Sequence, residues 1–440
     1  MRSLSKPEFY LLILFLFSLP SFEGPTNLLL VSYLVAWVIQ SWRVKTFGGS
    51  LRLWEYALLL FLAAGFITAF SNPFGWEEPL KGVLTSAKLI LPGICLSRTR
   101  VVNNQLLYLL TSATVGTLFA VLAAWYAWWG TGTAYPELHS VGHTNQSALY
   151  IALAFGISIS LVLTQKGWLR ITFALLSVFF ALAMLPQGSM TATGVVVAMT
   201  ALAVAMKLRL KLRTLLITLA SVVVIGFTLT YAGKIIPEFD TLATKVTYRI
   251  KGGDSGSDYY SKRDLIFNAA IFSLSDFPWF GVGDGHFGKA TSLEYIQAKA
   301  AERGVEYQGK RFFHTSHGHM IVTNFLLNRG IIGLSLMLIF LVIVAIMHIQ
   351  WLWQYFFSRK IELEPVIGLM AGVYVVVGGL GNSTLYVEHG QLAFCLLGLA
   401  IGCLQQSMHE TRRLVDIQTY DTDTSVEPRK DKTSVVDKIN

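Results

Sequence analysis

Apolar runs of about 17–25 residues recur along this chain from its first residues almost to residue 407, and that is the length an α-helix needs to cross roughly 30 Å of hydrocarbon. No other feature restricts the fold so strongly. A transmembrane barrel would instead show alternating segments of about ten residues, and none occur. Composition agrees: of 440 residues 53% are hydrophobic and 14% charged, with mean hydropathy +0.54, too apolar for a soluble chain of several domains. The sequence predicts an all-α polytopic membrane protein.

Twelve spans are read, near 8–22, 27–42, 53–71, 80–97, 105–129, 146–164, 168–185, 191–207, 212–232, 320–348, 364–384 and 387–407. The loops between them alternate in charge. Arg2 and Lys6, Arg43 to Arg52, Arg98 and Arg100, Lys166 and Arg170, Lys207 to Arg213, Arg359 and Lys360, and Arg412 and Arg413 fall on one side. The positive-inside rule makes that side the cytoplasm and puts both termini in it. The net charge of +9 thus follows topology; the cations are dispersed over short loops, so nucleic acid is not an expected partner. Membrane lipid is.

The organisation expected is nine spans in 1–232, a long outer segment in 233–318, three spans in 319–407 and a disordered cytoplasmic tail in 408–440. Met1 to Pro20 has signal-peptide charge and length but no small-residue cleavage site, and reads as the first helix. Cys95, Cys395 and Cys403 lie in apolar runs with no CxxC pair, as packing residues do. Asp421-Thr422-Asp423 spells the DxD of metal-dependent glycosyltransferases, but in the tail on the wrong side, and is read as coincidence. No internal repeat of the transporter kind is visible.

In the outer segment a Gly/Ser/Asp linker at 251–258 precedes an amphipathic helix from about Ser261 to Phe272, expected to lie on the bilayer and to end at Asp276-Phe277-Pro278. Gly281, Gly283 and Gly285 make a turn, and residues 290–303 form a second short helix. These glycines follow no strand and do not read as a phosphate loop.

Seven of the nine histidines belong to the outer face: His139, His143, His286, His314, His317, His319 and His389. Three of them, in Phe312-Phe313-His314-Thr315-Ser316-His317-Gly318-His319, stand where the long polar segment re-enters an apolar helix. A neutral imidazole there suits proton abstraction from a sugar hydroxyl. The rival roles are zinc ligation by the H-x2-H-x-H spacing, which lacks an adjacent carboxylate, and helix capping. Without a nucleotide motif on that face, the donor must arrive already activated, as a lipid-linked sugar pyrophosphate. Cations should then grip phosphate. Arg263, Arg329, Lys81 and Lys88 are the candidates, Lys88 being about two turns inside the hydrocarbon, where a charge normally faces a cavity or a partner. Lys81 alternatively snorkels outward, and Lys88 alternatively pairs with a buried carbonyl.

Ser316-His317-Gly318-His319 followed by Asn324, Arg329, Gly330 and Gly333 resembles the S-H-x-H … E/R-x-G-x-x-G signature of the bacterial O-antigen ligase and polymerase superfamily. Arg263 to Phe267, running into Pro278-Trp279-Phe280-Gly281-Val282-Gly283, is similar to its R-x-x-x-W/F … P-x-x-G-x-G element. Gly142-His143-Thr144-Asn145-Gln146-Ser147-Ala148 resembles its H-x-N-x-S-A stretch. The resemblance implies a GT-C-like fold and a metal-independent, cofactor-free, inverting transfer. The donor would be an undecaprenyl-pyrophosphate-linked glycan and, for the ligase member, the acceptor would be lipid A-core. It puts the base on His319, with His317 as neighbour, and the loop arginine on Arg263. His143, Asn145 and His314 become acceptor or loop residues. Where many members carry an arginine after the eighth-span Ser, this chain has Gly188-Ser189-Met190-Thr191, so Gln187, Lys81 or Lys88 would take over its role.

Overall fold

The structure, a computed structural model, describes residues 2–131, 135–208, 262–307, 309, 312–318, 320–358, 361–385 and 388–404. The predicted span at 212–232, the 251–258 linker, His319 and the 408–440 tail lie outside them. Among the described residues the helices are α1 (Lys6–Ser18), α2 (Glu23–Arg43), α3 (Leu53–Ser71), α4 (Glu77–Ser97), α5 (Asn103–Thr131), α6 (Thr144–Thr164), α7 (Gly167–Ala183) and α8 (Met190–Lys207). Then follow α9 (Lys262–Leu274), α10 (Phe287–Ala290), α11 (Leu293–Glu302), α12 (Ile321–Ser358), α13 (Leu363–Gly381) and α14 (Glu388–Leu404). Eight of these, α3 to α8, α12 and α13, are long and apolar enough to cross a membrane. The described residues are those of a predominantly helical, multi-pass membrane protein.

The predicted first span is shorter than expected, 13 residues in α1; of the predicted last span the structure describes Glu388–Leu404 as helix. Helix α6 is the centre of the bundle, buried on nearly every side against α7, α8 and α13. Its small residues, among them Ala148, Ala152, Ala154, Gly156 and Ser160, let neighbouring backbones approach closely, as intramembrane packing requires.

Loops of like charge meet. At the basic end, β1 (Arg2–Ser3) pairs in parallel with β2 (Thr99–Arg100). Arg2 is ion-paired with Glu8 and donates to Ser41 Oγ at 2.9 Å. Arg98 grips Glu55 and donates to the carbonyls of Phe47 and Gly49 at 2.6 and 3.2 Å. Arg98 and Glu55 are 5% and 0% exposed, and a buried charge left without its partner costs about 3–5 kcal/mol. Replacing Glu55 by Leu is therefore expected to lower the melting temperature of the detergent-purified protein sharply, whereas Glu77→Leu at an exposed position leaves it close to wild type.

The other end gathers the histidine loops. Ser140 Oγ donates to the Leu19 carbonyl at 2.7 Å, Gln187 Nε2 to that of Pro136 at 2.9 Å and Thr68 Oγ1 to that of Phe280 at 2.7 Å. Here α9 departs from expectation. Its Ile266 and Ala270 pack on Val282, Phe287, Ala290 and Leu327, so its apolar side is taken up by protein, while Phe267 and Ile271 face outward. The short helix expected at 290–303 is α11, which starts at Leu293 because Ser292 Oγ caps it by accepting from the Tyr295 amide at 3.2 Å; the separate turn α10 precedes it.

Candidate functional site

The histidine end is organised by a break in α12. At Gly330 the backbone turns to φ 64° and ψ −171°, which divides the helix about ten residues after its start. A break at membrane depth exposes carbonyls below and amides above, and lipid satisfies neither. The glycine-rich segment 278–283 does so. The amides of Val282 and Gly283 donate to the carbonyls of Leu327 and Asn328 at 2.8 and 2.9 Å. From the other half, the amides of Ile331 and Ile332 donate to the carbonyls of Pro278 and Trp279 at 2.9 and 3.1 Å. Thus the turn read from Gly281 and Gly283 is the backbone complement of the helix break.

Arg329 sits beside the break and does not face the histidine loop. It is 1% exposed, ion-paired with Asp284, 2.9 Å from Ser86 Oγ and 5.1 Å above the ring of Phe61. Gly65 and Gly82 leave the space that the guanidinium and the Asp284 side chain fill. Asp284 is the functional residue that sequence reasoning missed. An arginine midway along an apolar span demands a counter-ion, and the acid between Gly283 and Gly285 was the available signal.

The first half of α12 holds the histidine loop in place. Asn324 Oδ1 accepts from the Gly318 amide and from Asn328 Nδ2, each at 3.3 Å. Farther back, Thr291 Oγ1 donates to the Thr315 carbonyl at 3.2 Å and the Phe313 amide to the Leu265 carbonyl at 3.4 Å. His317 is half-buried, with Nδ1 3.0 Å from Ser316 Oγ. Burial, and then the nearby charge of His143, push its pKa below 6.5. His143 arrives from a different part of the chain as the cap of α6, where its Nδ1 accepts from the Asn145 amide at 3.3 Å. His143 therefore lies within electrostatic range of His317, and Gln187 Nε2 ties the start of α8 to the loop before α6 through the Pro136 carbonyl.

The remaining candidates are dispersed around this pair. His314 is exposed, its Nδ1 3.3 Å from the Thr291 carbonyl, and lies on a cleft of about 740 Å³ with Ser316 and Lys289. Lys81 is exposed and paired with Glu78 at 2.7 Å. Lys88 is half-buried within electrostatic range of Glu388, which also feels Glu23. Arg263 belongs to the first turn of α9. At the start of α8, where the resemblance leads one to look for an arginine, Ser189 caps the helix and Thr191 packs against Gly381. Among the described residues, no three His, Cys, Asp or Glu side chains converge as metal ligands.

Fold and site define a multi-pass helical membrane protein in which a broken span anchors a histidine-bearing polar loop at one end. No family model matches the chain, and no curated protein matches it.

Proposed function

We propose that this protein is a glycosyltransferase of the O-antigen ligase kind. It moves a glycan from undecaprenyl pyrophosphate to a sugar hydroxyl of lipid A-core at the periplasmic face of a bacterial inner membrane. Twelve spans in a GT-C-like arrangement, with both termini cytoplasmic, complete the reading. The observation that carries it is the position of His317. It is half-buried where the loop enters α12, within electrostatic range of His143 and in surroundings that favour the neutral imidazole.

In the mechanism, the acceptor hydroxyl gives its proton to an imidazole nitrogen of His319 or His317, and its oxygen attacks the anomeric carbon from the face opposite the phosphate. The bond from that carbon to the pyrophosphate oxygen breaks with its electron pair on the leaving group. Arg263 and Lys88 are the cations assigned to that charge. Arg329 is reassigned: its guanidinium is committed to Asp284, and its role is to hold the loop. Lys81 and Gln187 remain secondary, one paired with Glu78 and the other bonded to the Pro136 carbonyl.

Two results are expected in a reaction of lipid-linked glycan with rough lipopolysaccharide. His319→Ala combined with Arg263→Ala abolishes product, since general base catalysis alone contributes about 10²–10⁴-fold; undiminished product would overturn the mechanism. If His317 is the base, its depressed pKa moves the acid limb of kcat/KM below 6.5, so activity persists under mild acid and falls only when the imidazole protonates. The limb should be absent in His317→Gln.

A polymerase of the same superfamily would use a second lipid-linked repeat as acceptor, and exchanging the acceptor in the same assay separates the two. A lipid or polysaccharide transporter is the reading from another class, and the broken α12 is the feature that raises it. In this chain the exposed backbone at the break is filled by residues 278–283 and is not turned toward a substrate path.

A further inference from the structure

Between α10, α11 and the 312–318 loop lies the open cleft of about 740 Å³, within the roughly 300–1,000 Å³ typical of small-molecule sites. We infer that this cleft is a saccharide-binding subsite, taking neutral sugar units next to the reacting hydroxyl of the acceptor; the word acceptor rests on the function proposed above, the sugar class does not.

Three features point to sugar. One wall is aromatic and rigid: Tyr295 stacks on Phe277 at 6.4 Å and meets Phe74 edge-on at 5.5 Å. The Tyr295 hydroxyl donates to Asp276 Oδ2 at 2.8 Å, and Asp276 is itself held by Arg303 at 2.7 Å. An aromatic surface fixed in this way offers an apolar platform to the C–H face of a pyranose. The cleft is also lined by Lys289, Ser292, Glu294, His314 and Ser316, a mixture of donors and acceptors that suits hydroxyls able to do both.

Charge argues against an anion. Phosphate sites converge cations, whereas here a carboxylate, Glu294, lines the cleft together with Lys289, and the Lys289 ammonium also sits in the field of Glu78. Lys289 is steadied by His286, whose Nε2 is 3.2 Å away. The connection to catalysis is short. Ser316 lines the cleft and its Oγ lies 3.0 Å from His317 Nδ1, so a sugar seated there brings the next residue of its chain to the imidazole.

The test is saturation-transfer NMR on the full chain, in a detergent without a sugar headgroup, with maltotriose as probe. Transfer to the probe is expected in the wild type and a loss of about tenfold in affinity in Glu294→Ala and Lys289→Ala, the effect of removing one charge-assisted hydrogen bond. Both positions are exposed, so folding is retained. Lys299→Ala, whose ammonium pairs with Glu302 on the same helix, should bind as wild type. In the transfer reaction the two variants raise the acceptor KM about tenfold with little change in kcat. No transfer to the wild type, equal transfer in the variants, or displacement of maltotriose by inorganic pyrophosphate overturns the proposal. Cleft-dependent binding in a protein that transfers no glycan would uphold the subsite and refute the ligase reading.

Discussion

Replacing Arg329 by Met is expected to lower the stability of the detergent-solubilised protein by about 3–5 kcal/mol, because Asp284 is left beside the apolar bundle without its counter-ion. The pair is largely enclosed, with side chains 1% and 22% exposed, and two of the guanidinium nitrogens already lack a hydrogen-bond partner among the described residues. Removing both charges together, Arg329→Met with Asp284→Leu, should restore at least half the loss, since apolar groups of similar volume replace buried ion pairs with little penalty. Thermal unfolding of the two variants measures this. The comparison also separates two roles for Arg329. A phosphate ligand would lose donor affinity on substitution while stability held, and the double variant would rescue nothing.

The second large effect is expected at the helix break. Gly330 has φ 64° and Gly281 φ 72°, and a Cβ on either would run into the backbone of the other segment. The left-handed conformation costs a non-glycine residue roughly 1–2 kcal/mol. Separating the segments also endangers four cross-segment hydrogen bonds, each worth about 1 kcal/mol. Gly330→Ala and Gly281→Ala should therefore each destabilise by about 3–6 kcal/mol and abolish activity, because the 278–283 segment and the histidine loop are anchored on the same half-helix. Gly194→Ala is the control: nothing lies within 4 Å of its Cβ position in α8, and a stability gain of about 0.5–1 kcal/mol is expected there. Unfolding in increasing denaturant would distinguish the three.

The long spans could be read from the sequence because lipid imposes length and apolarity on each of them separately; α3, α5 and α6 lie within a few residues of their predicted positions. The break in α12 could not. Asn328 and Arg329 interrupt the apolar run just before Gly330, but nothing local marks a backbone break, whose satisfaction depends on residues far away in the chain. The same limit explains Arg329, which as a residue type suits phosphate and in place serves Asp284. His143 and His317 each stood out in sequence, but that the charge of His143 reaches His317 is a tertiary fact that no local pattern contains. Lys289 drew no attention because the cleft it lines is assembled from three separate segments, Phe74, the 285–295 stretch and the loop carrying His314 and Ser316.

The dependence of α12 on residues 278–283 also fixes an order of assembly. Those residues leave the ribosome before Gly330 does, so the plug exists before the gap it fills. A span delivered to lipid ahead of its plug would present open amides and carbonyls to hydrocarbon. Productive insertion therefore requires that residues 278–283 be folded against the half-helix when the second half partitions. Early steps of biogenesis, and not only the finished fold, are written into the Pro278 to Gly283 stretch.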